Sequence, residues 1–344
     1  MSNKNINRLF EALTPNSEQK EKMLHTILEQ SRDNNVKQSG FAPVKRLRTL
    51  VLAAIMIVCL TTTAFAAAYI GLDEAFLKFL KPVDGEQAQY LSNGAYAVDE
   101  TVTNKNGSLT IKQVIGDSNL TYILMDFTAP EGFVLNAKRY RFLNPNINAG
   151  SGSFGTDFHM LEDGNSNDNK ISLVMSIMTK SSIVGKTVHF TFDELQAADP
   201  FPGIFETVIS GDWQATVKFD FKEYSNLYEI NQNIDMFGYE AILKSIVVSP
   251  ISISLKIESE YIKEISDANK GSLKEVGENE SLDDYPITIN YRDGTSETTS
   301  IFRGLHLGDL LVGEIFTIKT FENVINDKEI TSIVFFDREF SINN

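Results

Sequence analysis

"SLTIKQVIGDSNLTYILMDFTAPEG", residues 108–132, reads as a strand, a turn and a returning strand. From Ala95 onward the hydrophobic period is two, Gly116-Asp117-Ser118-Asn119 supplies turn residues, and Ala129-Pro130-Glu131-Gly132 ends the second arm. Further strands are expected in "KISLVMSIM", "TVHFTFDELQ" and "DWQATVKFDF", separated by the turn-forming "NKNG", "DGNSNDN" and "SGD". Trp213, the single tryptophan, alternates with Ala215, Val217 and Phe219 and is expected to face a core. A second unit begins near Tyr224. "GYEAILKSIVVSPISISLKIESEY" again runs strand, turn at Ser249-Pro250, strand, and loosely echoes the first hairpin, each opened by a glycine, Gly107 or Gly238. "YPITINYRDGTSETTSIF" adds a hairpin on Arg292-Asp293-Gly294, and "ITSIVFFDREFSI" reads as one last strand. Short strands with polar turns point to a mainly β fold of two immunoglobulin-like β-sandwich domains, residues 73–222 and 223–344.

Upstream of the strands, "LDEAFLKFLKP" and "DGEQAQYLSNG" predict two short helices, the first started by Asp73 and Glu74 and stopped by Pro82. Phe76, Leu77, Phe79 and Leu80 are expected to pack on the adjoining domain or to dip into a membrane interface. Before them, residues 49–72 contain no charge. As a helix those residues extend about 36 Å, against about 30 Å for a hydrocarbon core. Lys45, Arg46 and Arg48 precede the run and Asp73 and Glu74 follow it, which places residues 1–48 in the cytoplasm and 73–344 outside the cell. The competing reading is a cleaved export signal, since Ala64-Phe65-Ala66 has the small-x-small pattern of a cleavage site. A buried core helix is excluded because no face of the run is polar. Cys59, the single cysteine, lies within the run behind Val58 and does not form a lipid-acceptor motif.

Charge divides at the same place. Residues 1–48 carry nine Lys/Arg against five Asp/Glu, a net +4, which leaves 22 against 41, a net −19, for the remainder of a chain of net charge −15. An acidic distal part argues against nucleic-acid binding there. In the N-terminal part, Ile6, Leu9, Phe10 and Leu13 fall on one helical face, and after Thr14-Pro15 so do Met23, Leu24, Ile27 and Leu28. Two helices of this length bury too little surface to stand alone. Their stripes need a cover, either the membrane face or a groove on a cytoplasmic protein.

No catalytic, cofactor or metal motif emerges. In "DGNSNDNK", residues 163–170, Asp163, Asn165 and Asn167 match alternate positions of a calcium loop, but Asp168 and Val174 stand where Gly and Glu are needed. His25, His159, His189 and His306 lack a second ligand at metal spacing, and "GLHLGDLLVGE" has no Walker pattern. Asp283-Asp284 are sequence neighbours on a loop, which is no sign of an acid/base pair. The chain is not expected to be an enzyme.

The stretches "LFEALTPNSEQKEKMLHTIL", the uncharged run, "GLDEAFLKFLKPVDGEQAQYLSNGAYAVDETVTNKNGSLTIKQVIGDSNLTYILMDFTAPEG" and "SPISISLKIE" resemble a family of bacterial single-pass membrane proteins with an ectodomain of unknown function, of the DUF4179 type. The resemblance implies a transmembrane anti-sigma factor: residues 1–48 hold a cytoplasmic sigma factor, the outer domains sense an unknown extracellular ligand, and Ala64 and Ala66 mark a region of regulated cleavage. Zinc-type anti-sigma domains carry His-x-x-x-Cys-x-x-Cys; residues 1–48 contain no cysteine, so the sigma-binding segment is expected to be zinc-free. The alternative is a membrane-anchored surface binding or adhesion module in which residues 1–48 are only a leader.

Overall fold

A computed structural model describes residues 71–148, 154–162, 165, 167–199, 204–272, 275–276, 280–281, 285–301, 305–309, 313–321, 324–325, 329–336 and 338–342. The two N-terminal amphipathic stripes and all but the last two residues of the uncharged run lie outside these residues. Among the described residues no helix is long and apolar enough to cross a membrane.

The fold is mainly β. Two helices lead: α1 (Glu74–Leu80) and α2 (Gly85–Gly94). Asp73 caps α1 by accepting from Ala75 N at 2.8 Å, and Asp84 caps α2 by accepting from Gln87 N at 2.8 Å. Lys81 ends α1 in the left-handed conformation, and Pro82 cannot continue it. Then come β1 (Tyr96–Asn104), β2 (Gly107–Gly116), β3 (Leu120–Thr128), β4 (Arg139–Asn148), β5 (Phe154–Leu161), β6 (Lys170–Thr179), β7 (Thr187–Ala198) and β8 (Glu206–Lys218). These build a five-stranded sheet, β1-β2-β3-β6-β5, and a three-stranded sheet, β4-β7-β8, antiparallel throughout. The expected hairpin at 108–132 is β2–β3.

One apolar cluster draws on both sheets. Ile123, Met125 and Phe127 of β3 and Leu173, Met175 and Ile177 of β6 meet Phe142 of β4, Phe190 and Phe192 of β7, and Trp213 of β8. Trp213 is buried as expected, edge-on to Phe127 at 5.1 Å, and its indole N–H donates to Gly107 O at 3.2 Å. Gly107 has φ +135°, and a Cβ there would stand 2.6 Å from Thr128 O, so this turn admits only glycine.

A second sheet pair follows: β9 (Asn226–Met236), β10 (Tyr239–Val248), β11 (Ser252–Glu258), α3 (Ile262–Ser272), the short β12 (Glu275–Val276) and β13 (Glu280–Ser281), β14 (Pro286–Tyr291), β15 (Ser296–Ser300), β16 (Leu305–Asp309), β17 (Glu314–Thr320), β18 (Ile330–Phe335) and β19 (Arg338–Ser341). The five-stranded sheet runs β16-β17-β11-β10-β9 and the four-stranded sheet β15-β14-β18-β19, again around a shared apolar cluster. The single strand expected in "ITSIVFFDREFSI" is instead the hairpin β18–β19, because Phe336 takes a positive φ of 53° and reverses the chain. Helix α3 is not foreshadowed by the sequence pattern; among its described side chains Ile262 and Ile265 are buried.

The two pairs repeat one plan. The order β1-β2-β3-β6-β5 maps onto β9-β10-β11-β17-β16, and β4-β7-β8 onto β14-β18-β19. Both β2 and β10 carry a bulge, at Lys112 between Ile111 and Gln113 and at Lys244 between Leu243 and Ser245. Each of these lysines reaches a carboxylate on the next strand, Asp126 of β3 or Glu258 of β11.

Trp213→Ala should lower the unfolding free energy by about 3–5 kcal/mol, the usual cost of emptying a large aromatic site in a packed core. Urea denaturation followed by circular dichroism measures this.

Candidate functional site

The described residues lie within one compact unit, Phe65–Asn344. Its most unusual chemistry lies where the two sheet pairs meet, at two hairpin turns. In the β2–β3 turn, Asp117 N donates to Leu120 O at 2.7 Å, and the Asp117 carboxylate Oδ1 accepts from Asn119 N and Leu120 N at 2.8 and 2.7 Å. In the β10–β11 turn, Ser249 N donates to Ser252 O at 2.9 Å, and Ser249 Oγ accepts from Ile251 N and Ser252 N at 3.2 and 3.0 Å. These are the same turn built twice, with a side chain at its first position satisfying the two backbone N–H groups ahead of it.

The two turns bond to each other. Ser249 Oγ and Ser252 Oγ donate to Asp117 Oδ2 at 2.5 and 2.7 Å, and Ser254 Oγ donates to Asn119 Oδ1 at 2.9 Å. Asp117 is 2% exposed, and none of its four donors is a cation. Burial pushes the Asp117 carboxyl pKa up, and the four hydrogen bonds pull it back only in part. The side chain is therefore a buried carboxyl group surrounded by dipoles and no cation, an environment that favours its uncharged form.

Helix α1 lies against this junction. Phe76 is fully buried and Leu80 nearly so, in a cluster with Leu72, Leu91, Ile115, Leu120, Tyr122, Leu124 and Val174. The second sheet pair adds Ile251 and Val324 to the same cluster, and Val324 N donates to Leu80 O at 3.2 Å. Of the two expected fates of this apolar stripe, packing on the domain is the one observed for Phe76 and Leu80. Gly71 and Leu72, at the end of the uncharged run, are held too: Gly71 O accepts from Gln113 Nε2, and Leu72 is buried. Asp73 ties the start of α1 to Lys112 at 2.5 Å. Burial opposes the Lys112 charge, but hydrogen bonding to Asp73 and the charges of Asp126 and Asp73 outweigh it and raise its pKa.

Further ties close the junction. Lys180, just past β6, pairs with Glu314 of β17 at 3.3 Å, and Lys256 of β11 reaches Glu314 at 2.7 Å. Burial works against the Glu314 carboxylate, yet these two ammonium groups hold its pKa below the usual value. The segment joining the sheet pairs is pinned by α2: Lys222 N donates to Gly94 O at 3.0 Å, and the Tyr90 and Tyr224 rings lie 4.0 Å apart. A cleft of about 1030 Å³ opens over α1 and the junction, lined by Phe79, Lys81, Tyr122, His159, Ile251 and Phe321 among others.

The expected partner-binding residues Ile6, Leu9, Phe10, Leu13, Met23, Leu24, Ile27 and Leu28, and the expected cleavage positions Ala64 and Ala66, lie outside the described residues, as do His25, Cys59, Asp163, Asp283 and Asp284. Of the oxygen-rich loop, Asn165 donates to Asp168 at 3.0 Å and Asp168 accepts from Lys170 N at 2.9 Å. No group of three or more His, Cys, Asp or Glu side chains suited to a metal occurs among the described residues. His159 and His189 stand apart, facing Asp157 at 3.5 Å and Thr216 at 2.8 Å, and His306 lies in β16 rather than in a phosphate loop. Sequence reading took Asp117 only as a turn former. The signal available was the echo between the two hairpins, which places Asp117 and Ser249 each five residues past an equivalent lysine.

No family model matches the chain, and no curated protein does. A solved structure described as the crystal structure of the conserved domain protein from Bacillus anthracis is similar at 16% identity, with a TM-score of 0.46, over 70% of this chain and 75% of its own.

Asp117→Ala leaves four donors without their acceptor and should destabilise the protein by about 2–4 kcal/mol. Asp117→Asn keeps Oδ1 for the two backbone donors and should cost far less. Because the folded pKa of Asp117 is raised, its contribution is fully present below the unfolded value of about 4 and declines as pH rises through the folded one. Unfolding free energies measured from pH 3 upward should show this decline in the wild type and a shallower one in Asp117→Asn.

Proposed function

We propose that this chain is a single-pass membrane regulator, a zinc-free anti-sigma factor. In this reading residues 1–48 bind a sigma factor in the cytoplasm, the uncharged run crosses the membrane up to the point where Gly71 and Leu72 join the folded domain, and the two β units, which we take to be immunoglobulin-like sandwiches, sense an extracellular ligand. The observation that carries the reading is the uncharged run 49–72, which separates a segment of net +4 from a remainder of net −19. The apolar stripes at Ile6–Leu13 and Met23–Leu28 support it, since helices that short need a protein groove or a membrane surface to cover such a stripe. The resemblance to sigma-associated membrane proteins points the same way.

The junction supplies a route for the signal. The run leads within a residue or two into α1, and α1 packs against both sheet pairs at once. A change in how the pairs meet alters the grip on Phe76 and Leu80.

The surface-binding alternative rests on the size of the acidic β portion, and one experiment separates the two. Full-length protein carrying a C-terminal affinity tag is isolated from its own cells, and its partners are identified by mass spectrometry. A sigma factor should co-purify and be lost in the Leu9→Asp, Leu24→Asp double variant. Absence of any sigma factor from the wild type, or a mature N-terminus always near Ala67, would sink the regulator reading.

A further inference from the structure

Strands β4 and β5 are each the last strand of their sheet, and they border the same side of the first sheet pair. Between them lies a cleft of about 780 Å³. Ligand sites usually measure about 300–1,000 Å³. Arg139 and Arg141 of β4 line it together with Tyr140 and Phe142, which are also buried in the core. Both guanidinium groups lie over the Phe205 ring, 5.0 and 4.1 Å from its centroid. Arg141 also donates to Gln196 Oε1 at 3.0 Å, and Arg139 to Asp199 O at 3.3 Å. These contacts fix the planes of the two guanidinium groups. No carboxylate among the described residues pairs with Arg141.

The opposite wall comes from β5. Phe154 is 37% exposed, and Phe158, half-buried, packs on Phe142 at 6.0 Å. Lys138 and His159 complete the rim. The lining holds one carboxylate, Asp157, and it faces His159. Three permanent cations thus gather around one cleft in a region where acidic residues outnumber basic ones by 41 to 22. Such a concentration runs against the repulsion among like charges, and no ion pair between the described residues explains it for Arg141.

We infer that the β4–β5 cleft binds an oxyanion, carboxylate or phosphate, carried on a ring. An ordered guanidinium meets such a group with two parallel N–H donors. Phe154 and Phe158 line the same cleft and offer apolar surface for the ring that bears it. The site is independent of the membrane reading, because the cleft has the same chemistry in a regulator and in a surface module.

The test titrates full-length protein with phenyl phosphate, glucuronate, inorganic phosphate, glucose and phenol, using ligand-observed NMR. Phenyl phosphate or glucuronate should bind with Kd of about 1 mM or tighter, the range for one or two oriented ionic contacts. Inorganic phosphate should bind at least about tenfold more weakly, and the neutral compounds not measurably, given that a tenfold change is about 1.4 kcal/mol. Arg141→Gln should weaken binding by about tenfold or more, and Arg141→Lys by less, because the charge remains while the fork is lost. Lys244→Gln, far from the cleft in sequence and on the second sheet pair, should change nothing. The inference is overturned if neither ring-borne anion binds, if inorganic phosphate binds equally well, or if Arg141→Lys, folded by circular dichroism, binds like the wild type.

Discussion

The contact between the Asp117 carboxylate and the hydroxyls of Ser249 and Ser252 governs how the rest of this structure is assembled. A carboxylate removed from water with no cation beside it is costly, and the cost is offset only if every lone pair finds a donor. Here two donors come from its own turn and two from the other sheet pair. The junction is therefore specific: another angle between the pairs would leave a buried acceptor or a buried hydroxyl without a partner. A purely apolar junction tolerates sliding, because dispersion and hydrophobic burial have little directional preference.

The apolar cluster under α1 supplies the non-directional half of the same joint. Strand β3 is buried on both faces, Ile123, Met125 and Phe127 toward the first core and Leu120, Tyr122 and Leu124 beneath α1. That double burial explains why "LTYILMDF" is nearly continuous in hydrophobicity where a half-exposed strand would alternate. Its counterpart β11 keeps alternation, Ile253, Leu255 and Ile257 inward and Ser252, Ser254 and Lys256 outward. The outward serines meet the Asp117 turn. The two sheet pairs of one plan thus present complementary faces to each other, one an acceptor and the other donors.

Much of the fold was legible along the chain. The β2–β3 and β10–β11 hairpins, the strands at 170–179 and 187–198, the burial of Trp213 and the two leading helices all follow from local rules of period, turn chemistry and capping. The β18–β19 reversal escaped because Phe336 is a poor advertisement for a turn, adopting positive φ where Gly or Asn is usual. Helix α3 escaped because its apolar stripe is short: Ile262 and Ile265 are the buried residues among its described side chains. Strands β4 and β5 border the cleft lined by Arg139 and Arg141, and their charged, aromatic sequences carry no alternation long enough to mark a strand.

By itself, the sequence determined that the chain joins a basic, helix-patterned segment to an acidic β region through 24 uncharged residues, because charge and periodicity are additive along the chain. It also showed that two hairpins echo one another. Only the tertiary structure decided that those hairpins meet turn to turn, that Asp117 is buried rather than solvated, that α1 seats against both sheet pairs, and that Arg139, Arg141 and Phe158 share one cleft. Each of these depends on the distance between residues far apart in the chain, and burial, pairing and desolvation are properties of that distance rather than of the order in which residues are joined.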